Sequence, residues 1–195
     1  MSSALIEGAF YVQRADGSPD LVYEPQAHQK KFHASVSKYC IMEGGAGSGK
    51  SICMRWDAYM RCWAVPRFTA LILRRTMPEL KMSHTDNVPF DAERMGLAKD
   101  AWHSTDFVLR FPNGSKLKFG HCEDDNTVAR YLSSEFDIIY FDELTTFTLR
   151  QFLFIGSRAR TSKPGLRTYI RGGTNPVGPG TTWVRRYFIT KDITA

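Results

Sequence analysis

Eight consecutive residues, Gly44-Gly45-Ala46-Gly47-Ser48-Gly49-Lys50-Ser51, fit the pattern G-x-x-x-x-G-K-[ST]. The chemistry of that pattern is the holding of phosphate. Glycines let the backbone curl until its N–H groups converge on an anion. A helix opening near Gly49 turns its positive dipole end toward the same point. Lys50 reaches the β- and γ-phosphates as a point charge, and the Ser51 hydroxyl is a magnesium ligand. About ninety residues further on, Ile138-Ile139-Tyr140-Phe141 runs into Asp142-Glu143. Magnesium takes oxygen ligands and keeps several of its waters, so one acid beside Ser51 suits it, and Asp142 fits that role. Glu143 then faces the γ-phosphate, where it can orient and deprotonate an attacking water. Taken singly, the first motif is also a glycine turn between strand and helix, and the second is a pair of acids at a strand end. Together they point to phosphoryl transfer from ATP to water, since a second acid fits hydrolysis better than a switch.

Strand ends are needed to position both motifs. Residues 24–35 read as a helix opening near Pro25, and Tyr39 to Met42 as a short strand that stops at the glycines. Ser51 to Ala64 has helical composition until Pro66 ends it. Phe68 to Leu73 is a continuous apolar run, as expected of a strand buried on both faces. Thr76-Met77-Pro78-Glu79 is a helix start. Residues 107–111 and 115–119 alternate about Pro112-Asn113-Gly114, which is a hairpin signal. Asp137 to Phe141 is another buried strand, a helix covers Thr148 to Arg160, and Arg167 to Arg171 is a strand ending at Gly172-Gly173. Residues 13–20 are turn-rich and belong to an N-terminal lead-in, 1–23.

Strands alternating with helices predict an α/β chain whose mainly parallel central sheet is flanked by helices. The expected fold class is a P-loop NTPase of the ASCE type, one domain over 1–195, with a β-hairpin insertion near 107–119. In such sheets ligands sit at the carboxyl ends of the strands, and each motif falls at one.

The bulk properties set broad limits. Hydrophobic residues make up 43% and charged residues 24%, and no apolar run approaches the roughly eighteen residues of a membrane span. Met1 to Phe10 has no basic region followed by an apolar stretch, so a soluble, intracellular protein is expected. Cys40, Cys53, Cys62 and Cys122 lack the spacing of a zinc site or disulfide framework and read as small buried hydrophobes in a reducing compartment. The net charge of +6 favours polyanions only if the basic residues share one face.

Four segments carry a family resemblance: PQAHQKKFH (25–33), GGAGSGKS (44–51), YFDE (140–143) and GGTNPVGPGTTWVRRYF (172–188). Between about Gln26 and Phe188 the chain resembles the ATPase domain of the large terminase subunit, the DNA-packaging motor of tailed bacteriophages. The phosphate and acidic motifs occur in many ATPases, whereas the last segment is far more particular. The resemblance implies ATP as substrate with Mg2+, and an ATP site of Gly44, Gly45, Ala46, Gly47, Ser48, Gly49, Lys50 and Ser51, with Gln29 reading adenine. Lys50 and Glu143 would be catalytic, Ser51 and Asp142 metal ligands, and Thr174 and Asn175 the coupling motif that senses the γ-phosphate. As bare chemistry Gly172-Gly173 before Thr-Asn-Pro is also a good turn, and Gln29 an exposed polar helix residue.

Many members carry an arginine where this chain has Ala46, so the cation of the transition state would come from a neighbouring subunit. Arg130 is the first candidate for that trans finger, with Arg158 and Arg160 second. Arg74-Arg75-Thr76 follows a core strand where helicase-like motors touch nucleic acid. Lys116, Lys118, Arg167, Arg171, Arg185 and Arg186 are further phosphate-contact candidates, equally readable as ordinary charged surface. Trp183, Tyr187 and Phe188 are expected to dock a final helix rather than stack on bases. Implied partners are double-stranded DNA, a portal protein, a small terminase subunit and further copies in a ring, with no membrane. The implied location is the cytoplasm of the infected bacterial host, at the procapsid portal. Family members continue into a nuclease domain of the ribonuclease H type; with the sequence ending at Ala195, an excised fragment without DNA cleavage is expected.

Other readings share part of this pattern. A helicase-like or repair ATPase has everything except the Thr-Asn-Pro segment. A nucleotide switch or binding module is a third, but the guanine-reading string Asn-Lys-x-Asp does not occur. A small-molecule kinase would need an arginine-bearing lid, and Glu143 beside Asp142 argues for water as nucleophile.

Overall fold

The computed structural model describes residues 3–6, 9–13 and 16–191. Three antiparallel strands come first: β1 (Ser3–Ile6), β2 (Ala9–Gln13) and β3 (Pro19–Tyr23). The expected lead-in therefore contains a folded sheet, and residues 16–18 of its turn-rich stretch lie between β2 and β3. Its inner side chains explain why. Phe10 and Tyr23 are buried against the next long helix, with the Tyr23 and Trp56 rings stacked 5.0 Å apart. No helical or strand period in 1–23 announces this partner.

Helix α1 (Ala27–Ala34) follows, then strand β4 (Tyr39–Glu43), the glycine loop, and helix α2 (Lys50–Ala64). Strand β5 (Thr69–Arg74) leads into α3 (Met77–Ser83), whose cap is a reciprocal pair of Thr76 and Glu79. After α4 (Val88–Arg94) come β6 (Trp102–His103), β7 (Val108–Arg110) and β8 (Lys116–His121). The acidic strand β9 (Ile138–Asp142), helix α5 (Leu149–Gly156), strand β10 (Tyr169–Thr174) and the short α6 (Thr181–Val184) complete the order, with Arg185–Thr190 continuing α6 as a wider π-helical turn.

The central sheet has the order β4-β10-β9-β5-β8-β7-β6. The five strands from β4 to β8 pair in parallel, and β7 and β6 add an antiparallel edge. The hairpin at Asn113-Gly114 is real, but it is not an insertion. Its second strand, β8, is a member of the parallel core beside β5. Lys116 and Lys118 interrupt its apolar pattern because one face of β8 is uncovered there, and this disguised a core strand as an appendage.

Alternation sorts the core into two layers. Ala70, Ile72, Ile138 and Tyr140 face a cluster built from α2, α3, α4 and the N-terminal sheet, whereas Leu71, Leu73, Ile139 and Phe141 face Phe147, Phe152, Ile155 and Val184. The second layer rests on Phe152, whose ring meets Trp183, Tyr187 and Phe188, while Trp183 Nε1 donates to the Phe147 carbonyl at 2.9 Å. Those three aromatics dock the final helix, as expected.

Two boundaries differ from expectation. Helix α5 stops at Gly156 instead of Arg160, because Ala159 leaves the helix to bridge Phe136 beside β9. Strand β10 begins at Tyr169 and runs through both glycines to Thr174. Gly173 is needed there: a Cβ would lie 2.8 Å from the Met54 methyl and 3.4 Å from both Lys50 Cβ and an Asp142 oxygen. Its missing side chain lets α2 lie close to the sheet.

Candidate active site

The carboxyl ends of β4, β10, β9 and β5 meet in one place. There the glycine loop leaves β4 with Gly47 and Gly49 at φ 77° and 76°, values that a Cβ penalises. The loop, Lys50, Ser51, Ile52, Arg55, Arg74, Ser83, Asn87 and Glu143 line an open cleft of about 460 Å³, in the range of small-molecule sites.

Lys50 opens α2 and is buried, its Nζ donating to the carbonyls of Gly44 (2.7 Å) and Gly45 (2.9 Å) and to Asn175 Oδ1 (2.7 Å). Asn175 in turn donates from Nδ2 to Glu143 Oε1 at 3.1 Å. One side chain, just beyond β10, thus ties Lys50 to the second acid. Glu143 itself stands at φ 55°, a left-handed conformation that costs a residue with a Cβ on the order of 1–3 kcal/mol. Two bonds to its carbonyl, from Thr146 N (2.8 Å) and Thr146 Oγ1 (2.7 Å), hold it there. The turn takes its side chain out of the strand alternation and to the cleft.

Asp142 is fully buried, with Ser51 Oγ donating to its Oδ2 at 2.8 Å, His84 Nε2 at 3.0 Å from the same oxygen, and Arg74 Nε at 3.3 Å. Burial alone would raise its carboxyl. The hydrogen bond from His84, the charge of Arg74 and the Ser51 hydroxyl outweigh burial and hold it below the ordinary carboxylate range. Burial pushes the imidazole of His84 down despite its bond to Asp142, so at neutral pH it is an uncharged donor. Ser51 and Asp142 offer two adjacent hard oxygens, a donor set that fits magnesium shared with nucleotide phosphates. Among the described residues no cluster of three or more His, Cys, Asp or Glu could hold a metal by itself.

The remaining expected site residues fall into three groups. Thr174 is buried at the end of β10, its Oγ1 donating to the Asn175 carbonyl at 3.0 Å, and stands with Asn175 beside the cleft. Gln29 is buried rather than exposed: its Oε1 accepts from Gln26 N at 2.8 Å to cap α1, and its Nε2 donates to the Gly49 carbonyl at 3.2 Å. Its amide braces the phosphate loop. Arg130 lies on an exposed turn after β8 against His121, outside the residues that line the cleft. Arg158 binds the Leu132 carbonyl and Arg160 pairs with Glu135, both away from it.

Three of the residues read as nucleic-acid contacts are placed otherwise. Arg171 is fully buried, donating to the carbonyls of Ser35 and Ser37 with its guanidinium over Phe32 and Tyr169, so it cannot meet an external phosphate. Arg75 donates to the Cys122 carbonyl and Gln151 Oε1, bracing α5. Arg74 lines the cleft. Lys116, Arg167, Arg185 and Arg186 are exposed or half-buried at the surface, and Lys118 is half-buried. Of the cysteines, Cys53, Cys62 and Cys122 are buried and Cys40 is half-buried, all as free thiols. Burial pushes the Cys122 thiol up to about 11.

A family model described as phage terminase large subunit matches residues 37–195. The chain belongs to that family. The fold agrees with solved relatives at low identity. The large terminase of a thermophilic bacteriophage superposes with a TM-score of 0.69 at 18% identity, over 86% of this chain and 43% of that one. The ATPase domain of the Thermus phage P74-26 large terminase gives 0.62 at 16% identity, over 78% and 65%. The HK97 bacteriophage large terminase gives 0.56 at 12% identity, over 87% and 38%. This terminase chain therefore spans less than half the length of the first of these proteins, and its fold is that of the terminase P-loop ATPase domains. In another crystal form the same thermophilic-phage terminase is in complex with ADP or with ATP-gamma-S. No curated protein matches the chain in sequence.

His84 and Arg74 are the residues that the sequence reading missed as parts of this site. Arg74 ends a strand flanking the acidic one, which is a legible signal in a parallel sheet. His84 ends α3 with no periodic or motif signal, and only the approach of α3 to β9 brings it to Asp142.

Proposed function

We propose that this terminase chain hydrolyses ATP in the cleft and uses the energy to move double-stranded DNA into a viral procapsid. The observation that carries the reading is the chain of contacts Lys50–Asn175–Glu143, because it joins the phosphate-holding group to the hydrolytic acid through the coupling residue. Lys50 exchanges the carbonyls of its own loop for β- and γ-phosphate oxygens. Ser51 and Asp142 would hold magnesium, which when bound neutralises charge on the bridging phosphates. Glu143 orients a water in line with the γ-phosphorus and accepts its proton. Loss of the γ-phosphate frees Lys50 to return to Asn175, and the change passes along Thr174 and β10.

Gly44 to Ser51 form the ATP site, with Gln29 holding the loop in register at the adenine side. Arg130 reaches the site of a neighbouring copy in a homo-oligomeric ring, as an exposed position allows. Partners are double-stranded DNA, the portal protein and the small terminase subunit, in the cytoplasm of the infected bacterium at the procapsid portal. Among the described residues no helix is long and apolar enough to cross a membrane. The test is phosphate release with and without linear duplex DNA. Stimulation by duplex is expected, and slow release indifferent to DNA and to assembly would favour a switch instead.

A further inference from the structure

Arg74 stands in an unusual position. It follows Leu73, which pairs with Phe141, so it lies beside Asp142 at the end of the neighbouring strand. Its Nε is 3.3 Å from Asp142 Oδ2 and its Nη1 3.9 Å from Glu143 Oε1, while Nη2 donates to Ser83 Oγ at 2.9 Å. Nε is buried without a hydrogen bond, and the side chain is 13% exposed along the cleft wall. A guanidinium has five donors in a rigid fork, and among the described residues one of them makes a hydrogen bond.

We propose that Arg74 is the arginine that contacts the γ-phosphate from within the chain, moving off the two carboxylates when a triphosphate fills the cleft. Three observations combine. The phosphate loop has Ala46 and offers no cation beyond Lys50. The guanidinium lies between the oxygen assigned to magnesium and the acid assigned to water, where charge develops in phosphoryl transfer. The fork stands 3.3 Å from Asp142 and 3.9 Å from Glu143 on the cleft wall, so a triphosphate entering the cleft competes with both carboxylates for its donors. Ser83 anchors one nitrogen, so the fork is held while its other donors change partner. This inference rests on the ATP reading and adds a cis cation to any supplied by a neighbour.

The test is fluorescence titration of ADP and ATPγS on the wild-type chain, Arg74→Ala and Arg74→Lys, each with Mg2+ and again in EDTA. Arg74→Ala is expected to weaken ATPγS tenfold or more and ADP less than threefold, with the preference kept in EDTA. Arg74→Lys retains charge but not the fork and is expected to recover part of the ATPγS affinity; it also keeps the test readable if the alanine variant loses its fold. Equal weakening of both nucleotides, no weakening, or a preference that disappears in EDTA would overturn the proposal and leave Arg74 as a brace for Asp142. Wild-type protein that binds neither nucleotide would overturn the ATP reading itself, and the inference with it.

Discussion

Replacing Asn175 by alanine removes two bonds at once, the 2.7 Å bond from Lys50 Nζ and the 3.1 Å bond to Glu143 Oε1. Both are to charged groups, and such bonds contribute about 1.5–3 kcal/mol each. The two do not add. Once a triphosphate takes Lys50, only the bond that aims Glu143 still matters to the chemical step. At about 1.4 kcal/mol per factor of ten, its loss lowers kcat by roughly ten- to a hundredfold. Asn175→Asp is expected to do at least as badly, because it puts a second carboxylate about 3 Å from Glu143. Like charges about 4 Å apart cost up to about 4 kcal/mol at the effective dielectric of a partly buried site. The assay is steady-state phosphate release with duplex DNA present, alongside ADP affinity, which is expected to change less than threefold. A kcat within twofold of wild type in a folded Asn175→Ala variant would refute the reasoning. So would a loss explained wholly by weaker binding.

Gly173→Val pushes methyl groups against Lys50 Cβ and Asp142, and is expected to abolish detectable nucleotide binding while costing about 1–3 kcal/mol in stability; Gly173→Ala, which meets mainly the movable Met54 methyl, retains binding in the same titration. Phe152→Ala empties the socket of the final helix and is expected to cost about 3–5 kcal/mol by urea denaturation, with an unchanged m-value. The folded pKa of His84 lies below its unfolded value of about 6.5, so the unfolded chain binds the extra proton first and stability falls as pH drops from about 6.5 toward the folded value. Asp142, with its folded pKa depressed, contributes stability above about pH 4 and loses it only below. The urea midpoint of wild type should therefore decline between pH 7 and 5 more steeply than that of His84→Gln; parallel declines would contradict the assignment.

Local rules read much of this terminase chain correctly. The phosphate loop, the acidic strand and the helix starting at Thr76 are short patterns with one physical solution each, and β5 and β9 are apolar runs that only a doubly covered strand explains. What stayed hidden depends on distant partners. Tyr23 of β3 and Phe10 of β2 pack on Trp56 of α2, a partner more than thirty residues away. Arg171 read as a surface cation, yet two carbonyls and two aromatic rings satisfy it inside the sheet. Lys116 and Lys118 concealed a core strand because a sheet near its edge is covered on one face only. At the site itself, residue types marked the groups proposed to hold phosphate and metal. The contacts that aim them, His84 on Asp142 and Asn175 between Lys50 and Glu143, arise where strand ends and loops converge, which no spacing rule encodes.

The central claim is that Glu143 activates water against a triphosphate held by Gly44 to Ser51. Its most direct test is single-turnover phosphate release from ATP by the wild-type chain and by Glu143→Gln, with ATPγS affinity measured on both. The account predicts that the glutamine variant binds the nucleotide within threefold of wild type and releases phosphate at least a hundredfold more slowly. Release at the wild-type rate by Glu143→Gln would contradict it.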